Sequence, residues 1–119
     1  MITFLCYDRC STCQKAEKWL LAQGVSFEKR PIKEQNPRAD ELRQWQERSG
    51  LPLKRFVNTS GLLYRELQLK DRLPDMDEEE IRALLATDGM LVKRPILITD
   101  KAVVPGFREK DWEAALALC

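Results

Sequence analysis

The 119-residue sequence contains no histidine, and this absence excludes several mechanisms. Histidine is the side chain whose ordinary pKa lies nearest neutrality, and it is the usual general base for the serine and cysteine nucleophiles of hydrolases. Hydrolases that pair serine or cysteine with histidine are therefore excluded, together with zinc sites that have histidine ligands.

The sequence also lacks a long apolar run and an excess of charge of either sign. No stretch approaches the ~20 apolar residues that span a bilayer, and the first residues carry no basic leader typical of a signal peptide. Lys and Arg together number 20 and Asp and Glu 19, so the formal net charge is +1. This balance gives no electrostatic reason for direct binding to nucleic acid or to a membrane. We expect a cytoplasmic protein that forms a single domain over residues 1–119.

The first part of the chain has the pattern of a βαβ unit. Residues 2–6 are an apolar run typical of a strand that is buried on both faces. Apolar residues recur at helical spacing over residues 11–23, and Gly24 follows at the position of a C-terminal cap. Residues 25–30 alternate in polarity, which predicts a half-exposed strand that ends at Pro31.

The middle of the chain carries helix signals without strand signals over residues 36–89. A first helix closes at Gly50, and a short helix is expected over residues 62–69. A last helix begins with a capping box at Asp77 and is expected to stop at Gly89. These helices form an insert between two parts of a sheet.

The end of the chain returns to strand signals. Residues 95–99 and 102–104 flank Asp100-Lys101, which predicts a two-residue hairpin. Residues 108–118 then form a closing helix. The whole order is βαβ, helical insert and ββα, which indicates an α/β fold.

The motif Cys10-Ser11-Thr12-Cys13 lies between the first strand and the first helix. In a cytosolic chain, this context favours redox chemistry over a structural role. Cys10 falls just before the helix, where unpaired N–H groups and the positive end of the dipole stabilise a thiolate, which is the attacking species. Cys13 follows one turn later, close enough to attack a mixed disulfide formed at Cys10. We predict that Cys10 is the nucleophile and Cys13 the resolving thiol.

The alternatives to redox chemistry are a zinc site and two inert thiols. Zinc normally needs four ligands, and only Cys6 and Cys119 remain to complete such a site. We favour redox and expect no metal, with Cys6 a small buried apolar residue of the first strand and Cys119 an exposed spare thiol.

A second informative segment is Lys93-Arg94-Pro95-Ile96, where a proline opens a strand. An X–Pro bond at such a point can be cis, and the guanidinium of Arg94 could bind an anion through its fork of donors. A surface ion pair is the alternative for Arg94, and the spacing alone does not choose between the two roles.

Four stretches match one family, in order, over almost the whole chain. They are Tyr7–Ala16, Asn58–Leu67, Lys93–Ile96 and Gly106–Arg108. With these stretches the sequence resembles the ArsC-like family, which comprises glutaredoxin-coupled arsenate reductases, the Spx and MgsR regulators and YffB-type proteins. The resemblance implies a thioredoxin-like (glutaredoxin-like) fold, formed by residues of about 1–35 and 90–119, with an all-helical insert over about 36–89.

The resemblance also implies roles for individual residues and partners. It makes Cys10 the reactive thiol, Arg94 its anion-binding neighbour and Pro95 a cis proline. The helix N-terminal amides at Ser11 and Thr12 would assist in holding an anionic substrate. No cofactor is expected to be bound, whereas glutathione is implied as co-substrate and glutaredoxin or thioredoxin as recycling partner.

Two departures from the arsenate reductases limit this comparison. Those enzymes have serine or a similar residue at position 13, and they use three arginines around the oxyanion. Here only Arg94 matches clearly, because Asn58 replaces a second arginine and the third falls near Phe107 or Arg108. Cys13 instead matches the Spx regulators, although the chain has no basic extension after Cys119.

Two hypotheses of different classes follow. The first is a thiol reductase in which Cys10 attacks an oxidised substrate and Cys13 or glutathione resolves the adduct. The second is an Spx-like regulator that binds the alpha subunit of RNA polymerase and uses the same cysteine pair as a redox sensor.

Overall fold

The computed structural model describes all residues from Met1 to Cys119, and its contacts divide them into two compact units. One unit combines Met1–Pro31 with Arg94–Cys119, and the other is Ile32–Lys93. The expected boundaries, near residues 35 and 90, and the description of the whole chain as a single domain stay predictions.

The first unit is built on a four-stranded sheet with the order β2-β1-β3-β4. Strand β1 pairs with β2 in parallel and with β3 antiparallel, and β3 pairs antiparallel with β4. The strands are β1 (Ile2–Cys6), β2 (Phe27–Pro31), β3 (Ile96–Ile98) and β4 (Val103–Pro105).

The central position of β1 explains its composition. Phe4, Leu5 and Cys6 are all buried although successive side chains point to opposite faces, so both faces of β1 are covered as predicted. Strand β2 lies at the edge and begins at Phe27, two residues later than expected. Pro31 is its last residue, a position that an edge strand tolerates because a missing N–H there removes no ladder bond from the sheet interior.

Two helices supply much of the core of this unit: α1 (Ser11–Ala22) and α6 (Glu109–Ala117). The indole of Trp112 on α6 is fully buried and donates from Nε1 to the carbonyl oxygen of Gly106 at 2.8 Å. A buried indole N–H needs such an acceptor, so the bond fixes the start of α6 against the end of β4. The same core cluster contains Phe4, Cys6, Cys13, Ala16, Leu20, Leu97, Trp112 and Ala115.

The hairpin between β3 and β4 turns at Asp100 and Lys101, as predicted. Thr99 closes it on both sides: its N–H donates to the carbonyl oxygen of Ala102 at 2.8 Å, and its hydroxyl accepts from the N–H of Ala102 at 2.9 Å. These features give the βαβ and ββα order of an α/β fold, which confirms the predicted fold class.

The second unit consists of short helices and one isolated bridge between Val57 and Val92. Gly50 ends the first helix at a φ of 70°, and the Asp77 side chain caps the last one by accepting from the N–H of Glu80 at 2.8 Å. The α-helices are α2 (Ala39–Ser49), α3 (Leu62–Glu66), α4 (Leu69–Arg72) and α5 (Glu78–Leu85), and single 3₁₀ turns cover Leu53–Phe56, Leu73–Asp75 and Gly89–Leu91. None of the helices in the structure has the length and apolar character that a membrane crossing requires.

Two expectations for the second unit are wrong. The single helix expected over residues 62–69 is broken at Gln68, which has a φ of 54° and separates α3 from α4. Helix α5 ends at Leu85, so Gly89 is not its cap. Gly89 instead opens a 3₁₀ turn that passes close to the backbone of Ile32.

We predict that Gly89→Ala destabilises the protein. A Cβ at this position would fall on the carbonyl oxygen of Ile32 and lie 2.8 Å from its carbonyl carbon, so backbone must move. Overpacking of this kind costs about 1–3 kcal/mol in the free energy of unfolding. Urea unfolding followed by circular dichroism measures the loss. The control is Gly24→Asn, at an open position with a φ of 71°, where only the smaller cost of placing asparagine in the left-handed region, about 1 kcal/mol, is expected. Equal stability of Gly89→Ala and the wild type would contradict the prediction.

Candidate active site

Cys10 is the N-cap residue of α1, directly after the turn that leaves β1. Its backbone is extended (φ −90°, ψ 121°), and its N–H donates to the carbonyl oxygen of Tyr7 at 3.0 Å. The Cys10 side chain is half-buried. An N-cap side chain lies beside the N–H groups of the first helical turn, which have no acceptor within the helix. The turn thus places a sulfur atom where these donors converge.

The environment of Cys10 favours its thiolate. Partial burial acts to raise the pKa of Cys10. Two other effects outweigh this burial: hydrogen bonding from the N–H and thiol of Cys13 and the N–H of Thr12, and the positive charge of Arg94. The pKa of Cys10 therefore lies below its ordinary value. A thiolate is the reactive form of cysteine, so the surroundings of Cys10 favour its reactive form.

Cys13 has the opposite environment three residues later. Its side chain is only 2% exposed, and its sulfur accepts a hydrogen bond from the N–H of Tyr7 at 3.4 Å. Burial, followed by the hydrogen bond to Cys10 and the charges of Cys10 and Cys6, raises the pKa of Cys13 to about 12, against the smaller effect of the Tyr7 N–H. The pair therefore consists of one thiol whose pKa is lowered at the start of α1 and one buried thiol whose pKa is raised.

Arg94 and Pro95 lie in the same unit as the cysteine pair. The guanidinium carbon of Arg94 is 5.2 Å from the centre of the Tyr7 ring, a cation–π distance, and its charge acts on Cys10. The Arg94–Pro95 peptide bond is cis, as the family resemblance implies. The carbonyl oxygen of Pro95 accepts from the N–H of Gly106 at 2.7 Å, which ties this segment to the end of β4.

The remaining predicted site residues are less closely engaged. Thr12 contributes its N–H to Cys10, whereas Ser11, the first residue of α1, is exposed. Their roles in binding a substrate anion stay predictions. Tyr7 is a site residue that the sequence did not predict. Its N–H donates to the sulfur of Cys13, its carbonyl oxygen accepts from the N–H of Cys10, and its ring faces Arg94. Backbone donation leaves no signal in residue type, so only its place before the motif could have pointed to it.

The two cysteines outside the motif differ in burial. Cys6, at the end of β1, is buried, and this burial raises its pKa to about 11 although the charge of Lys29 opposes the effect. Cys119 is exposed. No three His, Cys, Asp or Glu side chains form a group that could hold a metal ion.

The positions expected for two further arginines are Asn58 and the segment Phe107-Arg108. Asn58 is 9% exposed, donates from Nδ2 to the carbonyl oxygen of Met90 at 3.2 Å and accepts from the Ser60 hydroxyl at 3.3 Å. Asn58 is therefore a neutral residue whose side chain hydrogen-bonds to other residues of the second unit. In the other unit, the Phe107 ring stacks edge-on against Trp112 at 4.9 Å, and Arg108 is exposed as the N-cap of α6.

The family of this chain follows from its match to a family model: the model of the ArsC family matches residues 5–115. The chain belongs to the ArsC family. It is 48% identical over 112 residues to the uncharacterized protein YusI of Bacillus subtilis, covering 94% of this chain and 95% of YusI. The regulatory protein MgsR of Bacillus subtilis is 27% identical over 106 residues, 89% of this chain and 82% of MgsR.

The crystal structure of an ArsC family related protein from Bacteroides fragilis is similar throughout. The two chains share 50% identity and a TM-score of 0.93, with 95% of each chain covered. The family resemblance and the thioredoxin-like fold class are therefore confirmed, with the arsenate reductase-like fold of the ArsC family.

We predict that Arg94→Ala raises the pKa of Cys10 in this ArsC-family chain, because a nearby cation favours the thiolate. The measurement is the rate of iodoacetamide labelling against pH, with peptide mapping to separate Cys10 from Cys119. In the wild type Cys10 is expected to label first at low pH, and Arg94→Ala should move its curve to higher pH. Arg94→Lys, which keeps the charge, should move it less.

The matched control is Lys110→Ala, which removes an exposed cation of α6 and should leave the curve in place. An unchanged curve in Arg94→Ala would return Arg94 to the surface ion-pair role.

Proposed function

We propose that the chain is an ArsC-family thiol–disulfide oxidoreductase that uses Cys10 as nucleophile and Cys13 as resolving thiol. The Cys10 thiolate attacks a sulfur of an oxidised substrate, forms a mixed disulfide and releases one substrate thiolate. Cys13 then loses its proton and attacks the Cys10 sulfur, which releases the second thiolate. Two electrons pass from the dithiol to the substrate, and the chain is left with a Cys10–Cys13 disulfide.

The observation that carries the proposal is the asymmetry of the cysteine pair. A nucleophile has to be ionised before the substrate arrives, and Cys10 has a lowered pKa at the N-terminus of α1. A resolving thiol has to wait until the mixed disulfide exists, and Cys13 is buried, with a pKa raised to about 12. The two thiols also act on each other's pKa, as neighbouring groups do, and this proximity supports direct attack.

Recycling of the disulfide needs an external reductant. Glutathione is a suitable co-substrate in this proposal, since it can also resolve the mixed disulfide at the half-buried Cys10 without entry to the core. Glutaredoxin or thioredoxin would supply the electrons for repeated turnover. Arg94 would hold an anionic part of the substrate next to Cys10, with the Ser11 and Thr12 amides and Pro95 bordering the same place.

A second candidate function is a redox-sensing regulator, favoured by the similarity to the regulatory protein MgsR, which is 27% identical over 89% of this chain. The same pair would then switch between dithiol and disulfide, and the partner would be the alpha subunit of RNA polymerase. Multiple turnover with glutathione and glutaredoxin supports the enzyme. Redox-dependent retention on immobilised RNA polymerase alpha subunit, without turnover, supports the regulator.

We predict that mild peroxide forms a reversible Cys10–Cys13 disulfide. One helical turn brings the two sulfurs within bonding range, so intact mass should fall by the mass of two hydrogen atoms and return with dithiothreitol. In Cys13→Ser this loss should disappear, and a glutathione adduct at Cys10 should accumulate when glutathione is present with the peroxide. Persistence of the loss in Cys13→Ser would assign the bond to Cys6 or Cys119.

We also predict that the chain is a poor arsenate reductase. Arsenate is a compact oxyanion, and holding it against a thiolate brings like charges together unless several cationic donors converge. Arg94 is one such donor, but the position of a second is the buried, neutral Asn58. Cys13 competes as well, because an internal disulfide can form before glutathione captures an arsenic adduct.

Arsenite production with glutathione and glutaredoxin tests this prediction, with Cys10→Ser as the blank. We expect a rate close to that blank. Robust turnover that saturates at sub-millimolar arsenate would contradict it.

A further inference from the structure

The buried thiol of Cys13 poses a chemical problem. It must lose a proton in order to attack the mixed disulfide, yet it is 2% exposed and its pKa is raised to about 12. Two of the causes of this rise, the hydrogen bond to Cys10 and the charge of Cys10, vanish once Cys10 is bonded to substrate. Burial remains, so the proton still needs an acceptor close to the core.

A small cavity next to Cys13 leads to such an acceptor. Its volume is about 20 Å³, and Cys13, Cys6, Tyr7, Asp8 and Glu17 are among the residues that line it. One water molecule needs roughly 10–15 Å³ and two to four polar partners. The thiols, the Tyr7 N–H and the carboxylates provide such partners. The cavity is therefore large and polar enough for one water between Cys13 and a carboxylate.

Glu17 is the better placed of the two carboxylates. It follows Cys13 by four residues on α1, so the two side chains lie on one face of the helix. Its side chain is 31% exposed, against 77% for Asp8, so it reaches both the cavity and the solvent. Lys29 on β2 fixes it through an ion pair of 3.2 Å and contacts Asp8 at 2.9 Å.

We propose that Glu17 accepts the proton of Cys13 through this cavity during the resolving step, with Lys29 as the positioning residue that holds Glu17 over it. This inference rests on the proposed oxidoreductase function. The Cys13 proton passes by way of one water to the Glu17 carboxylate, the Cys13–Cys10 bond forms, and the bond between Cys10 and the substrate sulfur breaks. The substrate leaves as a thiolate, and Glu17 returns its proton to solvent.

Several other ionisable groups surround the reacting thiol and enter any pH profile. The end of β1 and the motif contribute Cys6, Tyr7, Asp8 and Cys10, and β2 contributes Lys29. Arg94 also enters, because its charge acts on Cys10. Only Asp8 and Glu17 combine a place in the cavity wall with carboxylate oxygens that can accept a proton. Asp8 is therefore the required comparison for Glu17.

The test separates the two thiol steps in a single experiment. The full chain carrying Cys119→Ser is mixed with excess dithiobis(nitrobenzoate) in a stopped-flow instrument. The first equivalent of coloured thiolate reports attack by Cys10, and the second reports resolution by Cys13. The variants are Glu17→Gln, Glu17→Asp, Lys29→Gln and Asp8→Asn, with Glu28→Gln on the exposed side of β2 as the matched control.

Glu17→Gln is expected to slow the second phase at pH 7 by roughly 100-fold, the lower end of what a positioned acid–base group contributes, and to leave the first phase unchanged. The second phase of Glu17→Gln should reach the wild-type rate at high pH, because hydroxide then accepts the Cys13 proton directly. A loss of rate caused by structural damage would persist at high pH. Glu17→Asp should restore part of the rate, Lys29→Gln should slow it less than Glu17→Gln, and Asp8→Asn and Glu28→Gln should slow it little.

Two results overturn the inference, and they are distinguishable. A second equivalent that appears at the wild-type rate in Glu17→Gln, or a deficit that persists at high pH, refutes the role of Glu17 and leaves the oxidoreductase proposal standing. Absence of a second equivalent in the protein with intact Cys13 refutes the resolving step itself, and the role of Glu17 with it.

Discussion

The chemistry of this chain depends on how the backbone turns from β1 into α1. Tyr7 uses both of its backbone groups in this turn: the carbonyl oxygen accepts from Cys10, and the N–H donates to the sulfur of Cys13. One residue thereby fixes the position of both thiols relative to the central strand of the sheet. Because β1 pairs on both sides, the turn starts from the most constrained part of the fold. A reactive group on so rigid a support keeps its geometry before the substrate arrives.

Burial, rather than residue type, distinguishes the two cysteines of the motif. Cys10 and Cys13 are chemically identical and only three residues apart, but the helix turns the second toward Ala16 and Leu20 in the core and leaves the first at the N-cap. The helix N-terminus stabilises a negative charge, whereas the core penalises one. The hydrogen bond between the thiols adds to this difference, since it favours a thiolate at Cys10 and a proton at Cys13. This difference in pKa within the first turn of α1 is the basis of the order of attack that we propose.

Features that depend on neighbouring residues in the chain could be predicted from the sequence, and those that depend on distant contacts could not. The hairpin at Asp100-Lys101 and the capped start at Asp77 have local signals, and both are present. The break at Gln68 has none, because a glutamine rarely adopts a positive φ and its residue type does not predict one. Gly89 has the composition of a helix stop, but it is needed for close approach to the backbone of Ile32. For the candidate site, the motif located Cys10, whereas the backbone groups of Tyr7 were invisible to residue type.

The register of β2 against β1 determines which charged side chain reaches α1 beside Cys13. Lys29 lies opposite Phe4 in the parallel register, and paired residues share a face of the sheet. Phe4 faces the core beneath α1, so Lys29 extends along that face to reach Glu17 on the helix. A slip of one residue in this register would turn Lys29 to the other face and place Arg30 or Glu28 in its stead. The register of edge strand β2 therefore determines that Lys29, and not a neighbouring residue, forms the ion pair with Glu17 on α1.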